Sequence, residues 1–202
     1  MPNENLHKAK KAKNDEFYTQ YTDIQNEINA YLEYNPDVFK DKTILLPCDD
    51  PEWSNFTKFF AQNFETFGLK KLISTSYAAE SKPYKFGYQP SLFEKLSPDF
   101  DESKTATHGK IFVLKRGGKR KVNIDDLKWS YMESDGDFRS EEVKKLRDEA
   151  DMIVTNPPFS LFREFVVWLF ETDKQFVIIG NMNVVTYKEI FPLLQNNKNV
   201  VG

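Results

Sequence analysis

The sequence predicts an α/β protein, a doubly wound and mainly parallel sheet with helices on both faces, and three observations carry that expectation. Short apolar runs, Thr43 to Pro47 and Asp151 to Thr155 among them, alternate with amphipathic stretches of ten or more residues. The runs are apolar throughout instead of alternating with polar residues, as strands buried on both faces are. The composition, 40% apolar, 29% charged and 15% aromatic over 202 residues, suits one domain that buries about 70% of its unfolded surface.

Residues 1–14 are polar and basic and are expected to be flexible. From Phe17 to Leu32, Tyr21, Ile24, Ile28 and Tyr31 recur at spacings of three and four, an amphipathic helix that Asn35-Pro36 ends. Thr43 to Pro47 is the first strand. Trp53 to Phe67 forms a second helix whose Phe stripe faces the core, with Gly68 as its stop. Lys71 to Tyr77 is the next strand. Three prolines and little periodicity mark an insertion at about 78–125. It closes in a hairpin, Lys110 to Lys115 and Lys121 to Ile124, around Arg116-Gly117-Gly118-Lys119-Arg120.

Leu127 to Met132 reads as a strand and Glu133-Ser134-Asp135-Gly136 as a turn. Ser140 opens a helix through Arg147, with Glu141 and Glu142 in the first turn, where the helix dipole favours acids. Asp151 to Thr155 is a strand, Ser160 to Glu171 a helix and Gln175 to Gly180 a strand. Tyr187 to Gln195 is a helix with Pro192 inside it.

Charge and composition remove several function classes. With 28 basic and 31 acidic residues, net −3, a uniformly basic nucleic-acid coat is excluded, though a local patch is not. A single cysteine, Cys48, excludes an intrachain disulfide, and with only His7 and His108 beside it no metal site is expected. The longest apolar run, Phe165 to Phe170, is six residues, against the roughly 20 of a membrane helix. No membrane partner or signal peptide is expected, and the cytoplasm is the expected location. The sequence holds no G-x-G-x-x-G, Walker A, H-E-x-x-H or G-x-S-x-G pattern.

In an open α/β sheet, ligands sit beyond the carboxyl ends of the strands. One such end carries an unusual string, Asn156-Pro157-Pro158-Phe159 after Asp151 to Thr155. At average usage it arises by chance in roughly one 200-residue chain per thousand. Two prolines fix φ and remove two backbone donors, so the loop presents carbonyls and one carboxamide to a rigid concavity. Such a site receives N–H donors. An exocyclic amine on a ring is a poor nucleophile because its lone pair is delocalised. Accepting its hydrogens on the Asn156 oxygen and the Pro157 carbonyl frees that pair, while Phe159 stacks on the flat ring. The bland alternative is a strand-to-helix stop with Pro near the first helical position.

Five stretches, in order, resemble the EcoRI-type adenine-specific DNA methyltransferases. They are KNDEFYTQ (Lys13 to Gln20), CDDPEWSNF (Cys48 to Phe56), DGDFRSEE (Asp135 to Glu142), DMIVTNPPFSLFREF (Asp151 to Phe165) and IIGNMNVVTYKEIFPL (Ile178 to Leu193). The resemblance implies a methyltransferase fold over 15–202 that uses S-adenosylmethionine to methylate the N6 amine of a flipped adenine in double-stranded DNA. The implied setting is restriction–modification, and whether a cognate restriction endonuclease accompanies the protein stays open. Phe17, Tyr18 and Thr19 resemble the segment that meets the cofactor's methionine end. Asp49 and Asp50 stand where a Gly-rich cofactor loop is usual, and Asp137 and Phe138 resemble the pair that reads the cofactor's adenine. Asn156, Pro157, Pro158 and Phe159 are the implied catalytic loop.

Each has a plainer reading: a helix-entry staple at Phe17 and Tyr18, a helix N-terminal turn at Asp49-Asp50-Pro51, an Asx-turn at Asp137. The family's usual ribose-binding acid is replaced by Ser74, Thr75, Ser76 and Tyr77, with Glu80 the nearest acid. A basic tip, Lys115, Arg116, Lys119, Arg120 and Lys121, is a candidate phosphate contact or a solvated hairpin end. The last residues, Asn199 to Gly202, look like the start of a further strand, so the domain is expected to be partial. Two other functions fit the loop or the charge pattern: methylation of another planar amide or amine, such as a protein glutamine or an RNA base, and a non-catalytic nucleic-acid-binding module.

Overall fold

The computed structural model describes residues 19–78, 95, 99–117, 128–180, 184, 186–191 and 195. The segment 1–14, most of the insertion, the hairpin strand from Lys121 to Ile124 and residues 192–194 of the last expected helix lie outside the described residues.

In chain order the elements are α1 (Tyr21–Tyr34), β1 (Thr43–Leu46), α2 (Asn55–Gln62), β2 (Lys71–Thr75), β3 (Lys110–Lys115), β4 (Trp129–Tyr131), α3 (Glu141–Glu149) and β5 (Met152–Thr155). A 3-10 turn (Phe159–Leu161), α4 (Phe162–Phe170) and β6 (Gln175–Ile178) follow. The strands form one sheet in the order β4-β3-β2-β1-β5-β6. The β1–β2, β1–β5 and β5–β6 ladders are parallel, and β3 runs antiparallel to both β2 and β4.

The pleat of the central strands sorts side chains between two apolar layers. Ile44, Leu46, Met152 and Val154 point to the face covered by Ile24 and Ile28 of α1 and by Phe56, Phe59 and Phe60 of α2. Leu45 and Ile153 point to the other, against Val143 of α3 and Phe165, Trp168 and Leu169 of α4. Helices thus cover both faces, as the apolar strands predicted.

Several boundaries differ from expectation. The helix at Phe56 ends at Gln62, where Asn63 bonds the Phe59 carbonyl with both its backbone N, at 3.1 Å, and its side chain, at 2.9 Å. Turns then run to Gly68, which adopts φ 61° and donates to the Glu65 carbonyl at 3.0 Å. The partner arm expected for Lys110 to Lys115, Lys121 to Ile124, lies outside the described residues, and Lys110 to Lys115 is itself a strand. It is β3 of the main sheet, bonded along its length to β2, with Phe112 and Lys110 opposite Trp129 and Tyr131 of β4. Residues 159–161 are a 3-10 turn ahead of α4 and not part of its α-helix.

Candidate active site

β1 leads through α2 to β2 on one side, while β5 lies on its other side. The carboxyl ends of β1 and β5 therefore bound the crevice at the switch point. Both candidate loops, Cys48 to Ser54 and Asn156 to Phe159, leave the sheet there.

The two loops are bonded together through Asp49. This residue is 5% exposed. Its Oδ2 accepts from Thr155 Oγ1 at 2.7 Å and its Oδ1 from Ser54 Oγ at 2.7 Å. Ser54 is the N-cap of α2, and its oxygen accepts from Phe56 N at 3.1 Å and Thr57 N at 3.3 Å. The Asp49 carbonyl accepts from Ser74 Oγ, which also shares a 2.7 Å hydrogen bond with Thr57 Oγ1. Asp49 is thus a brace between β1, α2, β2 and the last residue of β5.

Asp50 is placed differently. It is half-buried, and its Oδ1 accepts from Glu52 N at 2.8 Å. No hydrogen bond to its Oδ2 occurs among the described residues, so a carboxylate oxygen at the carboxyl end of β1 is available to a cation or hydroxyl. Thr19 lies close by, its carbonyl accepting from Asn55 Nδ2 at 2.9 Å at the start of α2. Phe17 and Tyr18 lie outside the described residues. The hydroxyls that replace the usual ribose acid are engaged in the fold. Ser74 bonds the Asp49 carbonyl, Thr75 Oγ1 bonds the Pro47 carbonyl at 3.1 Å, and Ser76 Oγ accepts from Lys110 N at 3.2 Å. Glu80 lies outside the described residues.

The loop from Ser134 to Asp137 reaches the same sheet edge because two glycines allow it. Ala78 N donates to the Asp135 carbonyl at 2.7 Å and Gly109 N to the Ser134 carbonyl at 3.0 Å. A Cβ on Gly136, whose φ is 77°, would lie 2.1 Å from the Ser76 carbonyl oxygen, and one on Gly109 would lie 2.5 Å from it. Asp137 then closes an Asx-turn, Oδ1 accepting from Arg139 N at 2.8 Å, and pairs with the Arg139 guanidinium at 2.6 Å. Burial pushes this carboxyl up, but the hydrogen bonds and charge of Arg139 outweigh it and hold it below the usual carboxylate value. Arg139 also reaches Glu164 of α4 at 2.6 Å. The Phe138 ring is buried, edge-on to Phe165 and Trp168 at 5.1 and 5.6 Å between centroids. The acidic-aromatic pair is therefore docked onto the helix that follows Asn-Pro-Pro-Phe, Phe138 as its anchor and Asp137 half-buried beside it.

In the candidate loop after β5, Thr155 and Pro157 are buried and Asn156, Pro158 and Phe159 are half-buried. The Asn156 Oδ1 atom is itself shielded from solvent. Phe159 packs against the small cluster of Phe162, Val166 and Ile190. The Pro158 carbonyl starts the 3-10 turn by accepting from Leu161 N at 3.1 Å.

Of the basic tip, Lys115 and Arg116 are not brought to this edge. Antiparallel pairing sets Lys115 opposite Lys71, at the amino end of β2. Arg116 Nε donates to the Leu69 carbonyl at 3.0 Å, and its terminal nitrogens engage the Gly68 carbonyl and Asp41. Lys119, Arg120 and Lys121 lie outside the described residues.

Sequence reading missed Thr155 and Ser54, which hold the two loops in register. Ser54 had a signal, a capping residue directly before an apolar-periodic run. Thr155 had none, since its partner lies 106 residues away. Among the described residues no cluster of three metal-ligating side chains occurs, and no helix is long and apolar enough to cross a membrane.

A doubly wound sheet whose switch-point strand runs into Asn-Pro-Pro-Phe, beside an acidic loop, is the framework of a methyltransferase. The chain belongs to the family described as adenine-specific methyltransferase EcoRI, whose model matches residues 5–202. It is 44% identical over 200 residues to the Type II methyltransferase M.EcoRI of Escherichia coli, covering 99% of this chain and 55% of that protein. It is 33% identical over 193 residues to the Type II methyltransferase M.MpnI of Mycoplasma pneumoniae, covering 96% and 49%. The chain spans about half the length of the curated relatives it matches. No solved structure matches it significantly.

Proposed function

We propose that this chain carries the cofactor-binding and catalytic part of an S-adenosylmethionine-dependent DNA methyltransferase that modifies the N6 amine of adenine, acting in restriction–modification. The observation that carries the reading is the position of Asn156 to Phe159. The loop leaves β5 at the switch point, fixed through Thr155 to the loop after β1. Membership of a family described as adenine-specific supports adenine as the acceptor.

The residues present fit the cofactor's chemistry. S-adenosylmethionine supplies an electrophilic methyl on a sulfonium, together with an ammonium group and a ribose diol. The free Oδ2 of Asp50 suits the ammonium group or the diol. Thr19, with Phe17 and Tyr18 preceding it, is assigned to the methionine end. Asp137, kept ionised by Arg139, is assigned to the adenine end. Asp49 acts from beneath the site as its brace.

Asn156 and Pro157 do the work on the acceptor. A base inside a duplex cannot bring its exocyclic nitrogen into the crevice, so the target must leave the stack. The Asn156 carboxamide oxygen and the Pro157 carbonyl accept the two amine hydrogens, which localises the nitrogen lone pair as the nitrogen turns tetrahedral. These acceptors are fixed before reaction, so little reorganisation is needed. Phe159 offers a stacking face to the extrahelical base. The partner is therefore double-stranded DNA, with the basic tip proposed to contact its phosphates.

The test is tritiated-methyl transfer to unmethylated DNA by the full-length protein, with the product digested to nucleosides. Label in N6-methyl-2′-deoxyadenosine is the expected result. Label in cytosine, in RNA alone or in protein glutamine would overturn the assignment.

A further inference from the structure

Asp49 is a buried carboxylate to which the methyl-transfer chemistry gives no task. Both of its oxygens are directed at hydroxyls, Ser54 and Thr155, each at 2.7 Å. Thr155 is fully buried and directly precedes Asn156, while Asp49 directly precedes Asp50. We infer that the Asp49–Thr155 hydrogen bond is a positioning device that sets the spacing between the cofactor loop and the catalytic loop. This rests on the proposed function, and it adds two positioning residues, Thr155 and Ser54, to it.

The physical basis is the direction and burial of the bond. A hydroxyl bonded to a carboxylate is a charge-assisted contact, stronger than a neutral one. In a solvent-poor site it has no water to replace it. The β1–β5 ladder pairs Ile44 with Met152 and Leu45 with Ile153, and then stops. The register ends at Leu45 and Ile153, and the Thr155 side chain continues the connection two residues further. Ser54 ties the same carboxylate to the cap of α2, so the carboxylate cannot follow one loop without moving the other. Displacing Asn156 by a fraction of an ångström would misplace its oxygen relative to the acceptor nitrogen and leave the cofactor contacts of Asp50 intact.

The test compares Thr155→Val, which removes the hydroxyl and keeps the shape, with Thr155→Ser, which keeps the hydroxyl. Both are made in the full-length protein and compared with the wild type. Single-turnover methyl transfer and S-adenosylmethionine affinity are measured below the unfolding temperature of each variant. Thr155→Val is expected to slow transfer by roughly 10–100-fold, the scale of a small misplacement of a reacting group, with cofactor affinity little changed. Thr155→Ser is expected to restore the rate. Hydrogen exchange at residues 156–161, read without any DNA, is expected to rise in Thr155→Val and not in Thr155→Ser.

Equal rates for Thr155→Val and wild type, or a serine variant as slow as the valine one, would overturn the inference. Exchange unchanged in both variants would overturn it too. Wild-type protein that methylates no adenine would instead sink the functional reading, and the exchange comparison would still judge the brace.

Discussion

The two ends of the sheet are built from similar materials and do different things. At the amino end of β2, Arg116 reaches over a turn to Asp41 and to the carbonyls of Gly68 and Leu69, closing a surface corner. At the carboxyl ends of β1 and β5, Asp49 is buried and held by hydroxyls, with Asp50 and Asn156 next to it. Charge at the first end is matched and solvated. Charge at the second is withdrawn from water and fixed in direction, which is what a reacting group requires.

The largest expected effect belongs to the carboxyl end. Asn156→Ala in the full-length protein should lower single-turnover methyl transfer by on the order of 10²–10³-fold while S-adenosylmethionine affinity holds, because the lost acceptor matters most as the nitrogen turns tetrahedral. Asp137→Ala should follow, weakening S-adenosylmethionine binding in calorimetry by about 1–3 kcal/mol, the usual cost of an unmade buried polar contact. Unchanged affinity would leave Asp137 only its Asx-turn and its pairing with Arg139.

That pairing predicts a smaller effect of pH. The folded Asp137 carboxyl titrates below its unfolded value. Its contribution to stability is present above the unfolded carboxylate pKa of about 3.9 and is lost as pH falls through the lower folded value. Denaturant titrations should show a shallower acid loss of stability in Asp137→Asn than in wild type. The smallest effect belongs to the amino end. Arg116→Ala should lower stability by about 1 kcal/mol through its lost hydrogen bonds and leave methyl transfer unchanged. A large fall in DNA methylation on that substitution would erase the distinction between the two ends.

Much of this was legible in the chain. The apolar runs at Ile44 and Ile153 read correctly as buried strands because both neighbours of each are parallel and both faces are covered. Asn156 to Phe159 stood out because two adjacent prolines at a strand end are rare and stiff. What could not be read was the partner of each acid. Asp49 meets a residue 106 positions away, and nothing local separates it from Asp50. Phe138 was legible as an aromatic beside an acid, but only the packing on Phe165 and Trp168 reveals that its ring faces the core. The pairing of β3 with β2 could not be read either, because it joins residues far apart in the chain.

The central claim is that cofactor and target base meet at the carboxyl ends of β1 and β5. Hydrogen exchange with and without S-adenosylmethionine tests it most directly, followed residue by residue in the full-length protein. Slowed exchange is expected at residues 48–56, 134–139 and 155–161, with residues 68–70 and 115–117 unchanged. Slowing confined to the 68–70 and 115–117 corner, with the carboxyl edge unaltered, would contradict it.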